Sequence, residues 1–369
     1  MLDNLVRRRW DKELGTASLV PIASPEQRVC AAQERLGVGV PFDYVDLIDA
    51  SAVRQAVARW EPEAIVHFGE QSSAPYSMID APHATATQVN NVVGTLNLLF
   101  AIRDLAPDCH LVKLGTMGEY GTPDIDIEEG YLEIEHRGRR DTLPYPKQPG
   151  SFYHLSKVHD SHNMLFACRA WDLRATDLNQ GIVYGVGTSI TNTDPRLATR
   201  YDYDGMFGTA LNRFCVQAAL QQPITVYGAG GQTRGLIDLR DTVRCIELAV
   251  THPANAGELR VFNQFTEQWS VLDLARRVQR VATELELDPQ VVHVENPRVE
   301  AETHYYHAVH GSLLELGLDP YPLSDKTVAE TLEVAIANRD RARPQTIPPS
   351  VNWRTGAAGR SVQQRALVA

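Results

Sequence analysis

The chain has 369 residues, of which 43% are apolar and 22% charged, an ordinary globular composition with room for two lobes. Its net charge of −11 argues against sequence-independent nucleic-acid binding, and the small basic cluster Arg7, Arg8 and Arg9 reads as a solvated face. Its apolar stretches fall well short of the ~18 residues that span a bilayer, and Asp3, Asn4 and Arg7 leave no signal-peptide pattern.

Pro25 to Leu36 reads as a helix, 42–46 as a short strand, 52–60 as a helix and 64–68 as the next strand. Val89, Val92, Val93, Leu96, Leu99 and Phe100 keep i, i+3, i+4, i+7 spacing and predict one long helix from about 84 to 105. Leu111 to Thr116 is an apolar run ending in Gly115-Thr116, the mark of a buried parallel strand whose carboxyl end opens into a site. Residues 121–150 form an insertion rich in Pro, Gly and charge, with a hairpin expected from Tyr131 to Leu143 around Arg137-Gly138. A helical segment opens at Tyr153. From Tyr184 the regular alternation breaks down, and 192–204 reads as an exposed loop. The tail after Arg341, with 346–369 as its own segment, loses periodicity and is expected to be extended or disordered.

The order of signals is α/β throughout and predicts a Rossmann-type doubly wound parallel sheet. Residues 1–181 with about 236–264 make the first domain, and 182–235 with 265–345 a smaller lobe. The five cysteines (Cys30, Cys109, Cys168, Cys215 and Cys245) are odd in number and scattered. They read as reduced thiols of a cytoplasmic compartment, with no metal-site spacing.

Tyr153-x-x-x-Lys157 puts a phenol and an ammonium on one helix face, roughly 5–6 Å apart at Cβ. Tyrosine ionises near pH ~10, and a fixed positive charge nearby favours the phenolate, so Tyr153 is a plausible base at neutral pH. A bare Y-x-x-x-K is more often a surface tyrosine and a solvated lysine. The upstream strand ending in Gly-Thr tips the reading towards chemistry.

The match extends well beyond this pair. The segments H-F-G-E-Q (67–71), S-A-P-Y-S-M-I-D (73–80), K-L-G-T-M-G-E-Y-G-T-P (113–123), D-T-L-P-Y-P-K-Q (141–148) and F-Y-H-L-S-K-V-H-D-S-H-N (152–163) stand in order. D-L-N-Q-G (177–181), Y-D-Y-D (201–204), V-F-N-Q-F-T-E-Q (261–268) and N-P-R-V-E-A-E (296–302) come after them. Together they resemble the UDP-sulfoquinovose synthase family of extended short-chain dehydrogenases/reductases, from the first residues to about Trp353.

That resemblance implies an NAD-dependent enzyme of sulfolipid biosynthesis. It would convert UDP-glucose and sulfite to UDP-sulfoquinovose through a 4-keto-5,6-ene, with NAD regenerated in each turnover. Thr116 would hydrogen-bond the sugar hydroxyl, Tyr153 would take its proton, and Lys157 would bind the nicotinamide ribose and hold Tyr153 acidic. Asp3 would pair with the adenosine ribose and Asp46 with Leu47 would lie against adenine. Asn90 and Asn91 would face the cofactor, and Gln180 and Val183 would line the nicotinamide. Asn179, Thr209, Thr225, Val226, Tyr227, Arg234 and Arg298 fall where nucleotide-sugar enzymes hold uracil, ribose and pyrophosphate. Arg234 has a rival reading as a structural salt bridge. Met117-Gly118 stands where a 4,6-dehydratase has Asp-Glu, which leaves His154 and Glu119 as alternatives for removing the carbon-5 proton. A plain core histidine is equally open for His154. The family's four-helix dimer would use the 84–105 helix and the Tyr153 helix; packing on the chain's own sheet is the bland alternative.

Two departures stand out. Met1 to Arg8 resembles the segment after the family's second strand, so the chain is expected to begin ~30 residues late, without a G-x-x-G-x-x-G phosphate turn. Gly228-Ala229-Gly230-Gly231 reads as a turn. In the order 3-2-1-4, strands 1 and 2 would both be absent between 42–46 and 64–68, a gap of ~14 Å that predicts poor NAD retention and solubility. Ser72 stands where the family pattern has an arginine near the pyrophosphates. The rivals are a UDP-sugar 4-epimerase or dehydratase of the same superfamily and a truncated, non-catalytic UDP-sugar-binding protein.

Overall fold

Each apolar run is followed by a helix that returns the chain to the same edge, so successive strands pair in parallel. The computed structural model describes residues 1–301 and 303–355. Its strands in chain order are β1 (Leu2–Asp3), β2 (Asp43–Tyr44), β3 (Ala64–His67), β4 (His110–Thr116), β5 (Tyr131–His136), β6 (Arg139–Pro144) and β7 (Arg174–Gln180). Then come β8 (Ile182–Tyr184), β9 (Ile224–Tyr227), β10 (Thr233–Asp238), β11 (Leu259–Gln264), β12 (Glu267–Ser270) and β13 (Val291–Val294).

The main sheet has the order β11-β7-β4-β3, parallel throughout. Side chains alternate across its two faces. Leu111 and Ala175 on one face pack against Met164 and Cys168 of the Phe152–Trp171 helix and Leu99 and Ile102 of the Gly94–Leu105 helix. Val112 and Leu178 on the other face meet Cys245, Leu248 and Ala249 of the Leu239–Thr251 helix. These three layers are the doubly wound arrangement. Towards the carboxyl end the first face turns polar. Lys113 stands opposite Asp177, and Gly115 opposite Asn179, with Lys113, Asp177 and Asn179 wholly buried. That polar layer is the floor of the candidate active site.

β1 pairs in parallel with β2, Leu2 opposite Asp43 and Asp3 opposite Tyr44, as a separate two-stranded sheet. Of the expected gap between 42–46 and 64–68, the structure shows that β2 is paired on one side by β1. Leu47 ties the pair to the main body. A Cβ on Gly69 would come 2.7 Å, and one on Gly94 3.1 Å, from the Leu47 side chain.

The expected long helix is continuous but not uniform. Ala81–Gln88 passes through a π turn at Val89–Val93 into Gly94–Leu105. The extra residue of a π turn re-aims a side chain, here Asn91, which points inward and is fully buried. Its Oδ1 accepts from Gln71 N (2.7 Å), and its Nδ2 donates to Gln71 O (3.0 Å) and Ser156 Oγ (2.8 Å). Asn91 therefore pins the loop after β3 to the Phe152–Trp171 helix. Asn91→Ala should lower stability by ~1–3 kcal/mol, because buried backbone groups lose their partners. An unchanged denaturation midpoint would show that the pin is dispensable.

The hairpin forms as expected, with Arg137 (φ 52°) and Gly138 (φ 73°) as its two left-handed turn residues. Gly228 and Gly230, also at positive φ, turn the chain between β9 and β10.

In the smaller lobe, β8, β10 and β12 form one sheet and β9 pairs with β13. Helices Ala210–Ala219, Val271–Glu284 and Asp325–Ala337 contribute Phe214, Val278 and Leu332 to its core. Tyr201 and Tyr203 are buried in that core, which corrects the expected exposed loop: the Y-D-Y-D alternation sends both rings inward. Ile347 joins the same core, and Val351 packs with Trp10 and Tyr76. The tail is thus packed as far as these apolar residues carry it, and 356–369 lie outside the described residues. Arg7 is not merely solvated, since it pairs with Asp11 and stacks 3.4 Å over the Phe207 ring; Arg8 and Arg9 are exposed. Four cysteines are buried free thiols, and Cys30 is exposed.

Candidate active site

β4 delivers Thr116 at its carboxyl end, where Thr116 Oγ accepts from Gly118 N at 3.2 Å and turns the chain through Met117–Glu119. Ser151 caps the facing helix by accepting from His154 N at 3.2 Å. Tyr153 N donates to Ser77 Oγ at 2.9 Å, which fixes the first turn, and the Thr116 hydroxyl faces the Tyr153 phenol and lowers its pKa. Thr116, Tyr153 and Lys157 therefore converge as expected.

The charges around them differ from the expected pattern. Lys157 Nζ donates to Leu114 O at 2.6 Å and is in direct contact with the Glu70 carboxylate. Burial pulls the Lys157 pKa down to about 8, against Asp160 and Asp177, which raise it. Its ammonium is 5.8 Å from the centroid of the Tyr153 ring. Burial pushes the Tyr153 phenol up to about 12; Lys113 and the Thr116 hydrogen bond act in the opposite direction, and Glu119 adds to the rise.

His154 and Glu119, the two candidates for the carbon-5 proton, are separated by the structure. His154 Nδ1 lies 3.1 Å from Ser151 Oγ, and its Cδ2 and Nε2 edge lies over Gly118, directly after Thr116. In the Nδ1–H tautomer Ser151 accepts and Nε2 is left as a base. Burial, then Arg298 and Arg234, lower the His154 pKa to about 3, so the ring is neutral. Glu119 is wholly buried, in contact with Lys147 Nζ and 3.0 Å from Ser161 Oγ. Its burial pushes the carboxyl pKa up while Lys147 opposes. Glu119 belongs to the polar floor. A side chain at Gly118 would collide with His154. Gly118→Ala should therefore displace the imidazole and slow turnover at least tenfold while sparing the Thr116–Tyr153 contact, and unchanged turnover would show that the close approach is incidental.

On the other side, Arg298 and Arg234 both act on His154, and Arg234 is in contact with Glu300. The salt-bridge reading of Arg234 is therefore realised without removing it from the site. Thr225 is tied to Gln217, Thr209 caps the Ala210–Ala219 helix, and Tyr227 lies 4.1 Å beneath Arg213. The Val226 side chain is in the lobe core, which leaves only its backbone for a ligand. Asn179 is fully buried and donates to Tyr120 OH at 2.8 Å, so it braces the floor. Ser72 is exposed on the loop after β3.

Sequence reasoning missed several residues. Arg213 is buried one helical turn after Thr209, with its Nε lacking a partner among the described residues. Gln232, buried after the glycine turn, has neither amide atom paired there. Glu70 was legible as an acid in H-F-G-E-Q, and Lys113 as a charge inside an apolar strand.

The residues present fit a dinucleotide. Asp3 and Asp46 stand at the carboxyl end of the parallel pair β1–β2, two carboxylates suited to hydroxyl groups. Leu47 offers an apolar surface beside Gly69 and Gly94, both too close to it to carry a side chain without strain. Asn90 is half-buried and donates to Asn91 Oδ1 at 3.0 Å; Gln180, bonded to Gln264 at 3.2 Å, ends β7, and Val183 follows it in β8. Among the described residues, no group of three or more His, Cys, Asp or Glu could hold a metal ion.

A threonine at a strand end, with tyrosine and lysine one helical turn apart on a doubly wound parallel sheet, defines an extended short-chain dehydrogenase/reductase. The model of the NAD dependent epimerase/dehydratase family matches residues 12–263. The chain is 57% identical over 354 residues to UDP-sulfoquinovose synthase, chloroplastic, of Spinacia oleracea, which covers 96% of this chain and 73% of the relative. It is 42% identical over 356 residues to UDP-sulfoquinovose synthase of Sulfolobus acidocaldarius, covering 96% of this chain and 90% of the relative. UDP-glucose 4-epimerase from Bifidobacterium longum in complex with NAD+ and UDP shares the fold, with a TM-score of 0.65 at 18% identity over 88% of this chain and 89% of that one. Within the NAD dependent epimerase/dehydratase family, the chain belongs to the UDP-sulfoquinovose synthases.

Proposed function

We propose that this chain converts UDP-glucose and sulfite to UDP-sulfoquinovose, the head-group donor for sulfolipid. The observation that carries the reading is the neutral His154 imidazole lying over Gly118, immediately beside the Thr116–Tyr153 pair. An epimerase needs only the oxidising pair; an elimination needs a further base next to it.

NAD, when bound, exchanges a hydride with carbon 4 of the sugar. Tyr153 takes the proton of the 4-hydroxyl, which Thr116 orients. The resulting ketone acidifies carbon 5, whose proton His154 Nε2 removes as the 6-hydroxyl leaves as water. Sulfite then adds at carbon 6, a proton returns to carbon 5, and Tyr153 reprotonates the 4-oxygen as carbon 4 is reduced. Arg298 and Arg234 hold the pyrophosphate, for which the planar guanidinium fork is suited. Ser151 keeps His154 in one tautomer.

A homodimer fits the outer surface. Phe100, Phe152 and Phe166 are 43%, 47% and 67% exposed, with Val89 and Val93 beside them, on the two helices expected to meet a second copy. Leu98, Leu99 and Met164 of the same helices serve the chain's own core. No described helix is long and apolar enough to cross a membrane, and the buried free thiols support a cytoplasmic protein.

Incubation of the holoenzyme with UDP-glucose and sulfite should yield a sulfonated nucleotide sugar. UDP-galactose formed regardless of sulfite would assign the chain to the epimerases instead.

A further inference from the structure

The polar floor holds more hydrogen-bond contacts than ionised carboxylates can make. Ser161 stands four residues after Lys157 and eight after Tyr153, on the same face of the Phe152–Trp171 helix. Its Oγ lies 2.5 Å from Asp177 Oδ2, 3.0 Å from Glu119 Oε2 and 3.1 Å from Lys157 O. A hydroxyl carries one hydrogen, whereas a carbonyl or an ionised carboxylate only accepts. Two carboxylate oxygens at hydrogen-bond distance from one hydroxyl therefore require a second hydrogen. One of the two carboxyl groups must hold it, since Glu119, Ser161 and Asp177 are all buried.

The charges lead to the same count. Lys147 from the insertion is in contact with Glu119. Lys113 Nζ on β4 is 3.9 Å from Asp160 Oδ2 on the helix and 3.9 Å from Asp177 Oδ1 on β7. Lys157 is paired separately with Glu70, from the loop after β3. Three carboxylates against two ammoniums leave one negative charge, which is costly to bury and which one proton cancels. Tyr120 and Tyr153 border the same centre from the turn after β4 and from the helix. Burial raises the Glu119 pKa, the sense that retains a proton, while Lys147 opposes. A cavity lined by Tyr131, Pro144, Lys147, Ser161 and His162 lies between the base of the hairpin and the helix, a path by which the proton exchanges with solvent.

We propose that Glu119 and Asp177 share one proton across Ser161, and that this Glu119–Ser161–Asp177 chain seats the catalytic helix on β7 and on the turn after Thr116. With the proton in place, Ser161 accepts from one carboxyl and donates to the other, so both bonds form at once. Without it, one bond becomes a contact of two oxygens with no hydrogen between them, on the face that carries Tyr153 and Lys157. Glu119, Ser161 and Asp177 are positioning residues, and none passes its proton to the sugar. A pair that holds a proton in the fold binds it more tightly there than in the unfolded chain. Its stabilisation is therefore complete below the ordinary carboxyl range and is lost as pH rises through the raised value.

The test is the infrared carbonyl band of a protonated carboxyl, identified by its shift in deuterium oxide, in the holoenzyme at neutral pH. Glu119→Gln and Asp177→Asn each offer Ser161 an amide hydrogen and leave the cluster neutral without the proton. Either substitution alone should therefore remove the same band, a response that an ordinary structural carboxylate does not give. A folded variant of either kind whose difference from the parent lacks that loss overturns the sharing; should one fail to fold, the other carries the test. In the parent the unfolding equilibrium should change by about tenfold per pH unit above the ordinary carboxyl range through this one proton, and either amide should remove that dependence. Ser161→Ala deletes the bridge and should slow reduction of bound NAD by UDP-glucose roughly tenfold or more through misplacement of the helix face, with KM unchanged. A folded Ser161→Ala that keeps the original rate overturns the seating. Glu119→Gln that loses elimination without losing the band overturns the proposal as well, since Glu119 would then be the ionised base for the carbon-5 proton.

Discussion

Tyr153→Phe in the holoenzyme should reduce bound NAD ~10²–10⁴-fold more slowly with UDP-glucose, the usual cost of losing a general base. The fold should survive. The ring remains, Tyr153 N still donates to Ser77 Oγ, and what is removed is at most a hydrogen bond between the phenol and the Thr116 hydroxyl that faces it. Such a bond contributes only ~0.5–1.5 kcal/mol. Circular dichroism should match the parent chain. A variant that is folded, binds UDP-glucose and reduces NAD at the original rate would show that another group takes the proton of the 4-hydroxyl.

The second large effect should divide the reaction. His154→Gln keeps a side chain of similar reach over Gly118 but removes the imidazole base. Oxidation at carbon 4 should persist, because Tyr153, Thr116 and Lys157 are untouched. Elimination should fall ~10²–10⁴-fold, so reduced NAD and the 4-ketone accumulate while the sulfonated product does not. Full product formation would transfer the role to Glu119 despite its contacts with Lys147 and Ser161. Because the imidazole pKa lies at about 3, the parent's elimination step should not weaken as pH falls from 7 towards 5.

Much of this site was legible in the sequence because its parts are local. Thr116, Tyr153 and Lys157 follow from a strand end and a helix turn, whose geometry is fixed by periodicities of two and 3.6. The hairpin followed from Arg137-Gly138, which supplies the two left-handed residues such a turn requires. What escaped depends on register and on packing between distant segments. Lys113 reads as an anomaly in an apolar strand until β4 and β7 are set side by side and Asp177 falls opposite it. Asn91 reads as a cofactor-side amide until the π turn rotates it inward, an event that helical periodicity cannot foresee. Tyr201, Tyr203, Ile347 and Val351 look exposed in polar, proline-rich stretches, yet each joins a core that also draws on segments far away in the chain. Arg213 and Gln232 sit in ordinary runs and become site residues only when the smaller lobe assembles. Glu119 was an open alternative from its motif position, and its contacts with Lys147 and Ser161 became visible only in the fold.

The assembled dyad also bears on the rival of a non-catalytic binding protein. A scaffold has no use for a buried cluster of four carboxylates (Glu70, Glu119, Asp160 and Asp177) and three lysines (Lys113, Lys147 and Lys157) beside Tyr153 and Thr116, since burying charge is costly unless function or pairing requires it.

The most direct measurement uses UDP-glucose carrying deuterium at carbon 4 and heavy oxygen in the 6-hydroxyl, turned over with sulfite and followed by mass spectrometry. The account predicts that heavy oxygen appears in water in step with sulfonate formation, while the deuterium stays on carbon 4 of the product because the same bound NAD takes and returns it. A product that keeps the heavy oxygen, or loses its deuterium to the medium, would contradict it.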